Sequence, residues 1–337
     1  MINYVYQLVS PRVFSIEYTD ISFQGNVVVK PSYMAICHAD QRYYQGLRDR
    51  KILENKLPMA LIHECCGEVV YDPTGTWTVG SQVVMVPNIP GNDDLMIYEN
   101  YQRGSGFLSS GIDGFMREYV EIKPDRVVLA EGICPSLAAI TEFVSVAVHA
   151  VSRFEKIAHD RRKRIGIWGD GSLAYVVACV LKQTFPETEL YVCGMSPGKL
   201  AYFSFVDETF LASEVPEDLQ IDHAFECCGG EGSAYAIDDI IRYIEPQGTV
   251  MLMGVSENKV NVNTRDVLEK GLTLVGSSRS GAADFIRAIE LMKKPGMAMR
   301  LQMIVYEDRP VKTVDDIHRV FQTDLTNAFK TVFKWKL

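Results

Sequence analysis

The sequence predicts an α/β protein that combines a β-rich domain with a second domain built on a doubly wound parallel sheet. Residues 1–130 carry short β-type runs separated by Gly and Pro, and long helical patterns are scarce there. From residue 165 onwards strand-like and helix-like stretches alternate, which is typical of a parallel sheet with helices on both faces. The change of rhythm falls on a glycine turn at residues 169–171.

Length, composition and cysteine usage set the broad class. A chain of 337 residues with 47% hydrophobic residues is expected to form two domains, because single cores stop growing near ~250–300 residues. The net charge of −9 argues against a nucleic-acid partner. No apolar run approaches the ~20 residues of a membrane span, and residues 1–4 do not resemble a secretory signal. The eight cysteines include two adjacent pairs, a poor disulfide pattern, so reduced thiols and a cytoplasmic location are expected.

Hydrophobic patterns predict the positions of the individual elements. In the first domain we expect strands near 26–29, 67–71 and 82–86, a long surface loop over 88–110 and a helix over 137–154. In the second domain we expect strands near 165–168, 190–193, 205–211, 224–227, 250–253 and 272–275, helices over 173–181, 233–244 and 284–292, and a closing strand over 331–335.

The glycine turn reads G-x-G-x-x-A, the dinucleotide-binding fingerprint, with Gly169, Gly171 and Ala174 as its small residues. Gly171 lets a pyrophosphate approach the backbone. Ser172 and Leu173 begin the following helix, whose free N–H groups and positive dipole end attract phosphates. A lone fingerprint is weak evidence, but here a strand precedes it and a helix follows, so a dinucleotide site is predicted.

The end of the second strand bears on which nicotinamide cofactor binds. NAD-specific folds place an acid there for the ribose 2′-hydroxyl, and residues 192–199 contain none. Ser196 and Lys199 could donate to a 2′-phosphate, so NADPH is the expected cofactor. An Asp at Gly194 is expected to shift the preference towards NADH.

Two segments of the first domain carry potential metal ligands. Cys37 could supply a thiolate, His63 an imidazole and Glu64 a carboxylate, which are ligands of catalytic zinc. Each residue alone has an ordinary structural explanation, a small core Cys or a surface His–Glu pair.

The order Cys37, His63-Glu64, Glu142 and then the fingerprint resembles the zinc-dependent medium-chain dehydrogenase/reductase superfamily. The resemblance implies a GroES-like catalytic domain, residues 1–140 completed by 285–337, and a Rossmann domain over 141–284. It implies Glu142 as a further zinc ligand or a neighbour of the zinc, and a homodimer or homotetramer. Residues 88–110 lack the four cysteines of the superfamily's structural zinc lobe, so one catalytic zinc and no structural zinc are expected.

A narrower resemblance lies in residues 56–59, 166–171, 267–274 and 276–280, which are similar to the ribulose-5-phosphate reductases of ribitol teichoic acid and capsule synthesis. This resemblance implies NADPH-dependent reduction of ribulose 5-phosphate to D-ribitol 5-phosphate, the precursor of CDP-ribitol. It also implies a functional pairing with a ribitol-5-phosphate cytidylyltransferase.

Further residues receive expected roles in that reaction. Asp40 is interpreted as a carboxylate that orients a zinc ligand. Ala39 stands where many alcohol dehydrogenases carry a proton-relaying hydroxyl, so water, Glu142 or Tyr43 must carry the proton. Arg42 and Arg279 are candidates for gripping the substrate phosphate.

Two alternatives remain open at the level of sequence. The first is another zinc-dependent polyol or alcohol dehydrogenase. The second is a zinc-free nucleotide-binding or quinone-reductase-like protein, against which the set of Cys37, His63, Glu64 and Glu142 argues.

Overall fold

A computed structural model describes residues 1–92 and 94–337. Its strands are β1 Ile2–Ser10, β2 Val13–Asp20, β3 Val27–Ala35, β4 Met59–Ala60, β5 Glu64–Tyr71, β6 Gln82–Met85, β7 Asn88–Ile89, β8 Gly106–Phe107, β9 Val120–Ile122, β10 Val127–Leu129, β11 Arg164–Trp168, β12 Glu189–Gly194, β13 Glu208–Leu211, β14 His223–Glu226, β15 Thr249–Leu252, β16 Thr273–Gly276, β17 Val305–Val311 and β18 Lys330–Trp335.

Helices connect these strands. They are α1 His38–Gln45, α2 Arg50–Lys56, α3 Pro135–Ala138, α4 Thr141–Ile157, α5 Ser172–Thr184, α6 Pro197–Leu200, α7 Gly232–Tyr243, α8 Thr264–Glu269, α9 Ala282–Met292, α10 Pro295–Met303 and α11 Val314–Asp324. The helix expected over 137–154 is two helices, α3 and α4, and the hydroxyl of Thr141 donates to the carbonyl of Ala138 at their junction.

The chain divides into two compact units, residues 1–145 with 279–337 and residues 146–278. The second unit contains a parallel sheet in the order β13-β12-β11-β14-β15-β16. This is the strand order of a dinucleotide-binding fold, whose ligand crevice lies at the carboxyl ends of the two strands where the order reverses. Here those strands are β11 and β14. The predicted α/β class, with a β-rich unit and a doubly wound parallel unit, is confirmed.

The first unit is built on a mixed sheet in the order β10-β6-β5-β3-β18-β17, with β9 paired to β3. β18 comes from the C-terminal segment and pairs antiparallel with β3, so that segment is part of the same sheet. Its aromatic residues Phe321, Phe333 and Trp335 pack in one core with N-terminal residues such as Val29 and Leu61. Burial of this shared apolar surface holds the C-terminal segment to the N-terminal part.

The cysteines and the helices can be compared with what composition predicts for disulfides and membrane spans. All eight cysteines are free thiols. Within the described ranges, none of the helices is long and apolar enough to cross a membrane.

Candidate active site

Three potential metal ligands meet where β3 ends and β5 begins, two neighbouring strands inside the mixed sheet. β3 pairs antiparallel with β5, and their register sets Ala35 opposite Glu64. Cys37 follows β3 and caps α1, while His63 immediately precedes β5. The Cys37 thiol, the His63 ring and the Glu64 carboxylate therefore each bring one donor atom to within 4.8 Å of the others. Pairing of two strands thus unites ligands that lie apart in sequence.

Asp40 connects the two segments that carry these ligands. Its carboxylate is fully buried, and Oδ2 accepts a hydrogen bond from the backbone N–H of Cys37 at 3.1 Å. Oδ1 accepts from the backbone N–H of Ile62 at 3.0 Å and from the hydroxyl of Ser109 at 2.8 Å. The Asp40 side chain therefore fixes three segments relative to one another: the start of α1, the segment before β5 and the end of the 88–110 region.

His63 is buried beside this carboxylate. Its Nδ1 lies 3.7 Å from Asp40 Oδ1, beyond hydrogen-bond distance, and has no hydrogen-bond partner among residues 1–92 and 94–337. The ring of Phe107 packs edge-on against it with centroids 5.3 Å apart. Burial alone lowers the pKa of His63, but the charges of Asp40 and Cys37 outweigh it and raise the pKa.

Ile62 stands where the superfamily pattern has Gly, and its backbone shows why Gly is usual there. Ile62 has φ 70°, in the left-handed region, although it is β-branched and fully buried. Its N–H donates to Asp40 and its carbonyl accepts from the N–H of Phe115 at 2.7 Å. These two hydrogen bonds and the burial of the Ile62 side chain fix the backbone conformation that places His63 beside Asp40.

Glu64 forms a buried ion pair with a residue of the C-terminal segment. Lys330 Nζ lies 2.6 Å from Glu64 Oε1 and also donates to the carbonyl of Ile36 at 2.7 Å. Burial raises the pKa of Glu64, against the opposing charge of Lys330. The second oxygen, Oε2, is buried and has no hydrogen-bond partner in the described part of the chain. Glu64 thus keeps one oxygen occupied and leaves one available.

This donor set fits a zinc ion. Buried polar atoms are normally hydrogen-bonded, yet His63 Nδ1 and Glu64 Oε2 are not, within the residues described. A thiol, an imidazole and a carboxylate within mutual reach are the ligand types that zinc takes. The orphaned carboxylate oxygen gains a partner if a cation binds between the three side chains.

Glu142 and Arg279 lie close to this cluster. Glu142 lies in the first turn of α4 but is not among the three residues whose donor atoms all lie within 4.8 Å of one another. Burial raises the pKa of Glu142, while the charges of His63 and Arg279 oppose the rise. Arg279 adopts φ 57°, and its guanidinium lies 4.8 Å from the centroid of the Phe107 ring. The same phenyl ring therefore contacts His63 and Arg279.

Arg42 and Tyr43 lie on α1, which Cys37 caps. The helix ends at Gly46 with φ 75°, and the left-handed turn returns the chain so that the Arg48 guanidinium lies 4.8 Å from the Tyr43 ring centroid. Burial and the neighbouring Arg48 charge lower the pKa of Arg42. Two guanidinium groups thus gather beside the helix that starts at a zinc-ligand candidate.

The fingerprint forms the turn between β11 and α5. Gly169 has φ 130°, and a Cβ there would lie 3.0 Å from the carbonyl oxygen of Cys227. Gly171 precedes α5 at its N-cap position, and a Cβ there would meet no atom within 4 Å. Ser172 and Leu173 form the first turn of α5, so their N–H groups have no intrahelical partner. The loop therefore leaves open space and free donors together.

Ser196 and Lys199 lie just beyond β12. Ser196 is the N-cap of α6, and its Oγ accepts from the backbone N–H of Lys199 at 3.4 Å. The Lys199 ammonium is on the first helical turn after the strand end. Asp170 of the glycine turn contacts this loop as well, through its carboxylate.

Some residues that contact the site could not be identified from the sequence. The region 88–110 was expected to be a surface loop, which is wrong for its later part, since Phe107 and Ser109 are buried against His63 and Asp40. The apolar Phe107-Leu108 pair is only a weak signal, because the exposed run 95–97 in the same region is apolar as well. Residue 93 of that region lies outside the described residues. No motif in the sequence around Lys330 marks this lysine as a residue of the site.

Comparison with known families agrees with this geometry. Residues 23–132 match the alcohol dehydrogenase GroES-like domain, and residues 206–294 match the zinc-binding dehydrogenase family. The first range contains the Cys37, His63 and Glu64 cluster, and the second covers later strands of the parallel sheet.

Full-length relatives are more specific. The ribulose-5-phosphate reductase of Streptococcus pneumoniae is 56% identical, over 100% of this chain and 98% of that protein. The enzyme of the same name from Bacillus spizizenii is 48% identical over the whole of both chains. The crystal structure of S. aureus TarJ in complex with NADPH superposes with a TM-score of 0.89 at 44% identity, covering both chains completely. The chain therefore belongs to the zinc-binding alcohol dehydrogenase family and, within it, to the ribulose-5-phosphate reductases.

Proposed function

We propose that this chain reduces D-ribulose 5-phosphate to D-ribitol 5-phosphate with NADPH, and so supplies the precursor of CDP-ribitol for teichoic acid or capsule synthesis. Full-length identity of 48–56% to ribulose-5-phosphate reductases carries the proposal. The cluster of Cys37, His63 and Glu64 supports the same chemistry, because ketone reduction of this type needs an electrophile at the carbonyl oxygen.

Cys37, His63 and Glu64 would hold one catalytic zinc ion, with Glu142 as a further candidate ligand. When bound, zinc supplies Lewis-acid polarisation of a carbonyl oxygen. Asp40 keeps Cys37 and the His63 segment in register through its three hydrogen bonds. Lys330 neutralises Glu64 and keeps one of its oxygens occupied. The number of zinc ions, one catalytic zinc per chain and no structural zinc, stays a prediction.

The proton that completes the alcohol must come from a group other than residue 39, because Ala39 has no hydroxyl. Tyr43, a buried residue of α1, carries a phenolic hydroxyl, and Glu142 carries a carboxyl group that burial favours in its protonated form. Either could pass a proton directly or through a water molecule. Loss of activity with zinc content retained, in Tyr43→Phe but not in Glu142→Gln or the reverse, identifies the donor.

The substrate phosphate needs cations, and the site offers arginines. Arg42 lies on the helix that Cys37 caps, and the Arg48 charge, just beyond the end of that helix, lies close to it. Arg279 packs on Phe107 beside His63. Guanidinium groups bind phosphate through two parallel hydrogen bonds. We assign Arg42 to the phosphate and keep Arg279 as a second candidate.

NADPH would bind the second unit at the carboxyl edge of its sheet. Gly169, Gly171, Ser172 and Leu173 would receive the pyrophosphate at the start of α5. Ser196 and Lys199 would meet the 2′-phosphate beyond β12. Bound NADPH supplies the hydride, and the residues named here bind and orient it.

Assembly and cellular context extend the proposal. A homodimer or homotetramer, a functional pairing with a ribitol-5-phosphate cytidylyltransferase and a cytoplasmic location remain predictions. The division into a catalytic domain over 1–140 with 285–337 and a Rossmann domain over 141–284 is likewise proposed as the functional division. Analytical ultracentrifugation and co-purification with the cytidylyltransferase test the assembly predictions.

A substrate panel tests the function itself. Phosphorylated and unphosphorylated keto-sugars are assayed with NADPH and with NADH, and zinc content is measured on the same preparation. Highest kcat/KM for ribulose 5-phosphate with NADPH supports the proposal. Faster turnover of sorbitol with NAD would indicate a different polyol dehydrogenase, and absence of zinc with no uptake on addition would contradict the zinc chemistry.

A further inference from the structure

The carboxylate of Asp170 is bound to the loop that follows the second strand of the parallel sheet. Asp170 is the middle residue of the glycine turn, between Gly169 and Gly171. Its Oδ2 accepts hydrogen bonds from the backbone N–H groups of Met195 and Ser196, each at 2.7 Å. A single side-chain oxygen therefore joins the β11–α5 turn to the β12–α6 loop.

This pairing determines what the β12–α6 loop can offer a ligand. The two N–H groups that point towards the glycine turn are occupied by Asp170, so they are not the donors for an incoming phosphate. The polar side chains that this loop and the following turn still offer a ligand include those of Ser196, the N-cap of α6, and Lys199 on α6. Ser196 also caps α6 and so sets where Lys199 lies.

The same contact explains why residue 194 is Gly. A Cβ at Gly194 would lie 2.6 Å from Asp170 Cβ and 2.8 Å from Asp170 Oδ2. Gly194→Asp is therefore a poor test of the 2′-phosphate site, since the added side chain displaces Asp170. The expected shift towards NADH in that variant stays a prediction.

We propose that Asp170 is a positioning residue for 2′-phosphate recognition: it fixes the 195–196 backbone so that Ser196 and Lys199 face the adenosine 2′-phosphate. The inference rests on the proposed use of NADPH and deepens it. NAD-specific folds carry an acid at the end of the second strand, where it binds the ribose hydroxyls. In this chain the acid near that position is Asp170 of the glycine turn, and it binds backbone N–H groups of the protein. Its charge is met by two N–H groups, which offsets its repulsion of a phosphate.

The test compares two ligands that differ only in the 2′-phosphate, adenosine 2′,5′-bisphosphate and 5′-AMP, by isothermal titration calorimetry on the full-length chain. We expect Asp170→Ala to weaken binding of the bisphosphate by at least about fivefold while 5′-AMP changes less than about twofold. Asp170→Asn, which keeps one acceptor oxygen, should lie between Asp170→Ala and the wild type. Asp207→Ala is the matched control. Asp207 Oδ2 also accepts from a backbone N–H, that of Leu190, but at the start of β12 and not at the end that precedes Met195.

The outcomes separate the inference from the proposed function. Wild-type binding of the bisphosphate no tighter than 5′-AMP overturns NADPH selectivity and with it this inference. A wild-type preference that persists in both Asp170 variants overturns the inference alone. Equal weakening of both ligands, or the same change in Asp207→Ala, shows a general structural role, and tighter bisphosphate binding shows that the carboxylate opposes the phosphate.

Discussion

Lys330 Nζ lies 2.6 Å from Glu64 Oε1, and both side chains are buried in the first unit. The two residues come from distant parts of the chain, β18 and β5. Burial lowers the pKa of Lys330, but the charges of Glu64 and Cys37 outweigh it and raise the pKa, so the ammonium stays charged. The C-terminal segment thus supplies the cation that accompanies a zinc-ligand candidate.

Replacing Lys330 by Met should destabilise the protein and reduce activity. Removing one partner of a buried ion pair costs about 3 kcal/mol, because the other charge is left uncompensated. The change is measured by urea unfolding and by zinc content. Lys334→Met on the same strand is the control, since Lys334 is only partly buried and packs over the Tyr33 ring. Equal stability and equal zinc content of the two variants would show that the Lys330–Glu64 pair stabilises neither the fold nor the site.

Gly171→Val should weaken NADPH binding and leave folding intact. A Cβ at Gly171 meets no protein atom within 4 Å, so the side chain occupies only space assigned to the pyrophosphate. The dissociation constant, measured by fluorescence titration, should rise at least about tenfold, or ~1.4 kcal/mol. Gly169→Ala is the contrasting variant, because φ 130° and the Cys227 carbonyl predict loss of stability there. Unchanged NADPH affinity in Gly171→Val would show that the pyrophosphate does not bind at the fingerprint turn.

Met195→Asp should shift cofactor preference from NADPH towards NADH. Met195 follows β12 directly, its side chain is 80% exposed, and its N–H can still donate to Asp170. A carboxylate there would repel the 2′-phosphate and accept from ribose hydroxyls. The ratio of kcat/KM for NADPH over NADH should fall by at least about tenfold.

Two further variants control the cofactor experiment. Met195→Asn has the same shape without the charge and should change the ratio much less. Lys199→Ala removes one attraction without adding a repulsion, so its effect should be smaller than that of Met195→Asp. A ratio unaffected by Met195→Asp would mean that the 2′-phosphate binds elsewhere than at Ser196 and Lys199.

Arg42→Ala should raise KM for ribulose 5-phosphate and spare unphosphorylated ribulose. Losing a hydrogen-bonded charge pair costs about 1.5–3 kcal/mol, or roughly 10- to 100-fold. Steady-state kinetics with both keto-sugars measure the difference. Arg50→Ala is the control, because Arg50 forms an exposed pair with Glu54 on α2. If both substrates weaken equally in Arg42→Ala, the phosphate contact belongs to another residue, and Arg279→Ala is the next variant.

The sequence was sufficient for much of the fold, and it singled out Cys37, His63 and Glu64, whose donor atoms the structure brings together. Gly169 and Gly171 sit between a strand and a helix, and such local patterns survive folding because turn geometry depends on the residues themselves. Cys37, His63 and Glu64 could be grouped only through a family pattern, since the pairing of β3 and β5 that unites them is not written in either segment.

The remaining contacts depend on tertiary structure alone. Lys330 reaches Glu64 only because β18 pairs with β3, and nothing in residues 330–335 marks that lysine. Asp170 appeared as the variable position of the fingerprint, and its link to residues 195–196 requires the parallel pairing of β11 and β12. The failure of Gly194→Asp as a test has the same origin, a close approach visible only in three dimensions.

Identification of the product tests the central claim most directly. Purified, zinc-containing protein is incubated with D-ribulose 5-phosphate and NADPH, and the product is analysed by NMR while NADPH oxidation is followed. We expect D-ribitol 5-phosphate in equal amount to the NADPH oxidised. Cys37→Ser should form none, lose zinc and still bind NADPH, whereas Cys134→Ser, at an exposed thiol, should behave as wild type. A different product, or full activity with zinc retained in Cys37→Ser, would contradict the account.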